Sequence, residues 1–359
     1  MSDTPPHQRP RFASALAQSP RSDVLEWRLP RPFAHCVLTG RSRAAWHTSF
    51  VVPQLDLLLD AGLCVNRLRP RHVFLTHGHS DHTLLAPAFV GGGGGGGDGD
   101  DGLPHVYCPV EMAGLFDDFV RASVLLDAGG GGPDEEPRDD DDDGGVGVDD
   151  DKDGQEDGRQ DSTAQEQGTD APNTTENTTH ITHALRPGDT VPLHHLRSRA
   201  NTLVTATAFA CTHSVPSLGY LFSRVTQRLR PALAALAGPR LQALRAAGEW
   251  LTEPHAVPFL AFLGDSTADT LAAEPEWLRA GVPVVVTECS FLYPRHKALA
   301  DRTKHTAWGD LVHVVRRWPQ TTFVLTHFSL RYSEADIVAF FTDMVDCPAN
   351  IVVWADPLA

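Results

Sequence analysis

Val73-Phe74-Leu75-Thr76-His77-Gly78-His79-Ser80-Asp81-His82 decides how this chain folds. An apolar run ending at Thr76 predicts a buried strand, and the polar residues after it predict the loop at its end. That loop carries the pattern His-x-His-x-Asp-His. Alternate side chains of an extended backbone point the same way, so His77 and His79 can converge on one cation. Asp81 and His82 follow where the chain can turn into a helix, facing a second cation beside the first. Imidazole and carboxylate together suit zinc.

Working outward, the same arrangement recurs. Short strands are expected over 34–38, 48–52 and 55–62, with a polar loop, Thr39-Gly40-Arg41-Ser42-Arg43, after the first. Later strands run into Cys211-Thr212-His213, Gly264-Asp265-Ser266, Glu288-Cys289-Ser290 and Thr326-His327-Phe328. Helical runs are expected near 83–89, from 109 (apolar Met112, Leu115, Phe116, Phe119 and Val120 on one buried face) and over 268–279, 307–318 and 333–345. Four later strands thus end in His, Asp or Glu. A sheet covered by helices, with a polar site at its strand ends, is the architecture this implies.

The chain has 359 residues and a formal net charge of -16. That charge is local: residues 127–176 hold 19 acids against Arg138, Lys152 and Arg159, leaving the rest neutral. The seven consecutive glycines 91–97 and the Gly/Asp-rich stretch from 129 to about 179 have almost nothing to bury. They are expected as low-complexity insertions at about 91–102 and 129–179 in one catalytic domain spanning 32–359, after a disordered tail over 1–31. The glycine run lacks the Lys-Ser/Thr of a phosphate-binding loop. Six scattered cysteines without a CxxC pair favour a reducing compartment, the cytoplasm or nucleus, with an organelle as the alternative. No apolar run reaches the length of a membrane span, so no membrane partner is expected.

His77, His79, Asp81, His82, His213, Asp265 and His327 make seven candidate ligands, each at a strand end or just beyond it. Two zinc ions roughly 3.5–4 Å apart need about this many, with one carboxylate shared. His77, His79 and His213 are assigned to one ion, Asp81, His82 and His327 to the other, and Asp265 to the bridge. Such a pair activates water and stabilises a departing oxygen at phosphorus.

These motifs carry a resemblance. With His213-Ser214-Val215-Pro216-Ser217-Leu218-Gly219-Tyr220, Glu288-Cys289-Ser290-Phe291-Leu292, His305-Thr306-Ala307 and Leu325-Thr326-His327-Phe328-Ser329-Leu330-Arg331-Tyr332, the chain resembles the ribonuclease Z family of tRNA 3′-processing endonucleases, in the metallo-β-lactamase superfamily. Gly40-Arg41-Ser42 to Phe50 is similar to the short form found in plants. The resemblance implies an αβ/βα sandwich of two packed mixed sheets flanked by helices. It also implies two Zn2+ per subunit (Mn2+ or Mg2+ as alternatives), a homodimer, and cleavage of precursor tRNA after the discriminator nucleotide to leave a 3′-hydroxyl. Asp81 matches the proposed general base, His305 the residue that passes a proton to the leaving group, and Glu288 a residue orienting His305. A histidine of near-neutral pKa suits that donation.

One departure from the family stands out. The arm that grips tRNA in bacterial relatives is replaced by a short segment at about 221–250, basic through Arg224, Arg228, Arg230, Arg240 and Arg245, with Gly248 able to cap a helix over 240–245. These arginines and Arg331 are candidate phosphate contacts. Other readings are a phosphodiesterase or thioester hydrolase of the same fold, or an inactive RNA-binding relative. All seven ligand positions being filled counts against the last.

Overall fold

The structure, a computed structural model, describes residues 11–15, 24–65, 70–91, 102–129, 178–193 and 203–358. Short runs rich in Val, Leu, Ile and Phe become strands, and these join into two mixed sheets of eight. One sheet contains, in spatial order, β2 (Ser14–Ala15), β3 (Leu25–Arg28), β4 (Val37–Arg43), β5 (His47–Val52), β6 (Leu57–Leu59), β7 (His72–Phe74), β8 (His105–Pro109) and β9 (Ile181–Leu185). The other runs β1 (Arg11–Phe12), β16 (Ile351–Val353), β15 (Thr322–Thr326), β14 (Val284–Glu288), β13 (Thr252–Phe262), β12 (Ser217–Leu229), β11 (Val204–Cys211) and β10 (Thr190–Leu193). Strands β6 to β9 are mutually parallel, as are β13 to β16.

Side-chain alternation sorts the core into layers. Phe50 and Val52 face the second sheet, where they join Tyr220, Phe222, Phe262 and Trp354 between the sheets. Val51 points the other way, with Leu58, Val73 and Val106, under Phe89 of α2 (Ala86–Val90) and Phe116 of α3 (Ala113–Asp127). Across the sandwich Val324 points inward while Phe323 and Leu325 point out. They pack under α5 (Asp269–Ala272), α6 (Glu276–Arg279), α8 (Trp308–Arg317) and α9 (Glu334–Thr342). The result is the helix–sheet–sheet–helix sandwich that the sequence implied. Two bonds tie the sheets near the site: the Tyr220 hydroxyl donates to Leu75 O at 2.6 Å, and Leu218 N to Thr76 O at 2.9 Å.

The structure corrects four expectations. Residues 11–15 and 24–31 belong to the fold rather than to a disordered tail, and Val24, Leu25 and Leu29 are buried. Their Arg- and Pro-rich neighbours disguise that apolar spacing. Thr39 to Arg43 is strand β4 and not a loop, because Arg41 and Arg43 are buried against Glu334, at 2.7 and 2.5 Å. The helix expected over 268–279 is two, broken by Glu274 (φ 51) and Pro275. On α3 only Phe116 and Val120 are buried, while Leu115 and Phe119 stay exposed. The interiors of both low-complexity insertions lie outside the described residues.

Candidate active site

The parallel strands all deliver their carboxyl ends to one edge of the sandwich, where open α/β folds place their ligands. After β6 comes Asp60, and after β7 the His77–His82 loop. His213 follows β11, Asp265 follows β13 and His327 follows β15. Asp81 and His82 sit in α1 (Ser80–Thr83), the turn of helix that the motif predicted. Two backbone features hold this edge together. Gly264 has φ +62, and a Cβ there would come within 2.5 Å of Thr76 Oγ1. His327 itself has φ 59, a left-handed conformation that costs a non-glycine residue about 1–2 kcal/mol.

All seven candidates converge, in two sets that share Asp265, and a third group of Asp265, Glu288, His305 and His327 overlaps them. In the first, His79 Nδ1 lies 3.1 Å from His77 Nε2 and 3.3 Å from His213 Nε2. Asp265 Oδ2 is 3.8 Å from His77 Nε2 and 3.9 Å from His213 Nε2. The second set meets the other oxygen: Asp265 Oδ1 is 3.3 Å from both His82 Nε2 and His327 Nε2. Asp81 Oδ2 completes it, 3.7 Å from His82 Nε2 and 3.4 Å from His327 Nε2. Ligands about 2.0–2.1 Å from a tetrahedral Zn2+ lie about 3.3 Å apart. The spacing therefore suits one cation in each set, with the Asp265 carboxylate spanning them.

Whether these residues fit a cation can be tested on their polar atoms. His82 Nε2 and Asp265 Oδ1 are buried without a hydrogen-bond partner. Buried polar atoms are ordinarily satisfied, and a cation between these two would satisfy both. The outward nitrogens point the same way. His82 Nδ1 pairs with Asp60 Oδ2 at 2.8 Å, His77 Nδ1 with Thr76 Oγ1 at 3.0 Å, His213 Nδ1 with Lys304 O at 3.0 Å and His327 Nδ1 with Ser290 Oγ at 3.1 Å. Each bond turns Nε2 into the site, as outer partners of metal-binding histidines do. Burial lowers the pKa of His77, His79 and His213, leaving them neutral. Burial alone would lower His82 too, but Asp265 and Asp60 raise it well above its ordinary value.

Asp60 escaped the sequence reading. It closes a Leu-Leu-Leu strand just as the other candidates close theirs, which is the signal that could have found it. Besides His82 it accepts from Thr76 N at 2.8 Å, so one carboxylate braces two residues of the motif. Asp81 Oδ2 also accepts from Ala45 N at 2.9 Å, a contact from the β4–β5 turn. Burial would raise the Asp81 pKa, but the His327 hydrogen bond and the charge of His82 hold it well below the carboxylate range.

His305 stands at the margin of this cluster, its ring centroid 5.1 Å from that of His213 and 5.4 Å from that of His327. Its Nδ1 is 2.9 Å from Glu288 Oε1. Glu288 also accepts from Ser266 N (2.8 Å), Thr306 N (3.0 Å) and Ser290 Oγ (2.6 Å). With four donors on a fully buried carboxylate, Glu288 is suited to positioning His305 rather than to holding a cation. Burial lowers the His305 pKa, yet Glu288, backed by Asp265 and Asp81, raises it to about 9.

The basic segment is a hairpin. Strands β12 and β13 run on past the sheet, from Val225 against Ala256 to Leu229 against Thr252, and end in α4 (Gly238–Ala246), which buries no residue. Gly248, at φ +81, follows it as expected. Arg240 and Arg245 are exposed on α4 and Arg331 on the loop after His327. The other three are engaged: Arg224 lies 5.3 Å over the Phe33 ring, Arg228 pairs with Glu253 at 2.9 Å and Arg230 bonds Trp250 O.

A sandwich with two cation-sized ligand sets sharing a carboxylate at its strand ends has the make-up of a two-metal hydrolytic site. The chain is similar in sequence to proteins named tRNase Z and ribonuclease Z. It is 29% identical over 304 residues, 84% of its length, to tRNase Z TRZ2, chloroplastic, of Arabidopsis thaliana, and spans 69% of that protein. It is 27% identical to tRNase Z TRZ1 of the same plant over 36% of its length, and 33% identical to ribonuclease Z of Nocardia farcinica (strain IFM 10152) over 37%, spanning 47% of each. No protein-family model matches the chain. Among solved structures it aligns with human tRNase Z, short form, at TM-score 0.42 and 13% identity, covering 88% of this chain and 95% of the other.

Proposed function

We propose that this chain is a ribonuclease Z: a two-zinc endonuclease that removes the 3′ trailer of precursor tRNA after the discriminator nucleotide. The observation that carries this reading is the Glu288–His305 pair beside the two ligand sets, which holds a protonated donor where a departing ribose 3′-oxygen would need one. His77, His79 and His213 would hold one ion, Asp81, His82 and His327 the other, with Asp265 between them. Such ions would polarise the phosphodiester and ease deprotonation of the attacking water.

The side chains do the rest. Asp81, held ionised, accepts a hydrogen bond from the attacking water, takes its proton as general base and releases it to solvent. His305, kept protonated by Glu288 at neutral pH, gives its proton to the departing ribose 3′-oxygen. The products are a tRNA with a 3′-hydroxyl and a trailer with a 5′-phosphate. Arg240, Arg245 and Arg331, free of ion pairs among the described residues, are left to meet phosphates.

A homodimer belongs to the same reading. A cavity of 310 Å3 lined by Gly78, Ser80, Leu84, Leu115 and Phe119 opens beside the histidine loop. Leu115 is 72% exposed there. A second copy covering this apolar face would explain why α3 carries a wider stripe than one chain buries. Leu115→Glu with Phe119→Glu should turn a dimer into a monomer in sedimentation, and an unchanged mass would remove this face as the interface. The function is tested by metal analysis of the purified protein together with mapping of its cut on a precursor tRNA. Two Zn2+ per chain and one cut after the discriminator are expected; a metal-free protein or a cut elsewhere overturns the reading.

A further inference from the structure

The β4–β5 turn presents Trp46 beside the site in a way that the cluster itself does not use. Ala45 has φ 59, a conformation an alanine adopts only under constraint. That conformation accompanies the bond from Ala45 N to Asp81 Oδ2 at 2.9 Å. The turn is gripped on its other side as well. Ala44 N donates to Phe328 O at 3.2 Å, and the buried Arg43 guanidinium donates to the carbonyls of Phe328 (3.2 Å), Ser329 (3.2 Å) and Tyr332. The turn is thereby locked to the loop that follows His327. Trp46 comes directly after Ala45, its Cα about 3.8 Å away. Its indole is 62% exposed, in contact with the His47 ring at a centroid distance of 4.6 Å.

A rigid turn that places the largest apolar side chain in water, one residue from a group held by Asp81, gains nothing in stability from that placement. A flat π-face next to a phosphodiester site is, by contrast, what a nucleobase stacks on, and such stacking is indifferent to base identity. We propose that Trp46 is a substrate-positioning residue that stacks on the base next to the scissile phosphate. The assignment rests on the RNA-cleaving reading above and goes beyond it, because it names the contact that aligns the strand over the ligand cluster. The half-exposed Leu330 and the exposed Arg331, on the loop that Arg43 clasps, extend the same rim with an apolar and a cationic group.

The test uses the full-length, metal-loaded protein and its Trp46→Ala and Trp46→Phe variants. Two substrates are compared: a precursor tRNA, and the same precursor with abasic nucleotides on both sides of the cut. Trp46→Ala should lower kcat/KM on the precursor about 5- to 100-fold, the range that loss of one stacked base allows. The difference between variant and wild type should vanish on the abasic substrate, and Trp46→Phe should recover most of the loss. A deficit of equal size on both substrates would mark a structural effect and overturn the proposal, as would no deficit on either. If the wild type fails to cut the precursor at all, the ribonuclease reading fails, and stacking is judged on binding. Quenching of tryptophan fluorescence by a short single-stranded RNA with a methylphosphonate at the central linkage should then be smaller in Trp46→Ala. Equal quenching overturns the proposal.

Discussion

At the scale of single residues, the Glu288–His305 pair makes the sharpest demand. Glu288 raises the His305 pKa to about 9, so the imidazolium persists through neutral pH and is lost as pH rises through that value. Activity that depends on this proton should fall on the alkaline side near pH 9. Removing the charge with Glu288→Gln should move that limb toward acid by more than one unit, while His305→Ala should cost about 10²- to 10⁴-fold in kcat and remove the limb. A limb left in place by Glu288→Gln would show that another group titrates there. That the seven clustered residues could meet is legible in the sequence because each ends a strand or sits in a compact motif, whereas Glu288 and His305 are singled out only by the family resemblance. Asp60 was not legible, since it works on the far nitrogen of His82, and nothing in a linear pattern says which side of an imidazole a neighbour will meet.

At the scale of elements, polarity misled where burial was satisfied by a distant partner. Arg41 and Arg43 looked like a loop because the acid that buries them, Glu334, is 291 positions from Arg43. Glu334 also accepts from Asp356 N at 2.8 Å, so this one carboxylate gathers β4, α9 and the chain's last turn. Glu334→Ala leaves two guanidinium groups buried without a counter-charge and should destabilise the fold by about 3–5 kcal/mol; a chemical-denaturation midpoint within error of wild type would contradict this. The β12–β13 hairpin is the opposite case. Its tip helix was legible from Gly238-Pro239 and Gly248, but the length of its strands was not, because half of each lies beyond the sheet with nothing to bury. Replacing Arg240 and Arg245 with Ala should weaken precursor tRNA binding about tenfold and flatten its salt dependence by about two phosphate contacts. Hydrolysis of a small phosphodiester should be unchanged, and an unaltered tRNA affinity would sink the arm's role.

At the scale of the whole molecule, the ligand cluster is also a joint. His77, His79, Asp81 and His82 come from the sheet of β7, whereas His213, Asp265 and His327 come from the sheet of β11, β13 and β15. Each of the two sets draws on both sheets, so a cation in either would pin the halves of the sandwich together at an edge otherwise lined with orphaned polar atoms. Binding to the folded chain alone adds stability as the logarithm of metal concentration, about 2.7 kcal/mol at a hundred times Kd. In a domain of this size that corresponds to a rise of about 4–5 °C in Tm. Chelation should therefore lower Tm and added Zn2+ restore it. His82→Ala should blunt the recovery because it removes one group from the second set and leaves Asp60 buried without its partner. Because His82 must give up its proton to face a cation, the rise should shrink as pH falls. A Tm indifferent to both chelator and Zn2+ would mean that the seven residues meet for some purpose other than holding metal.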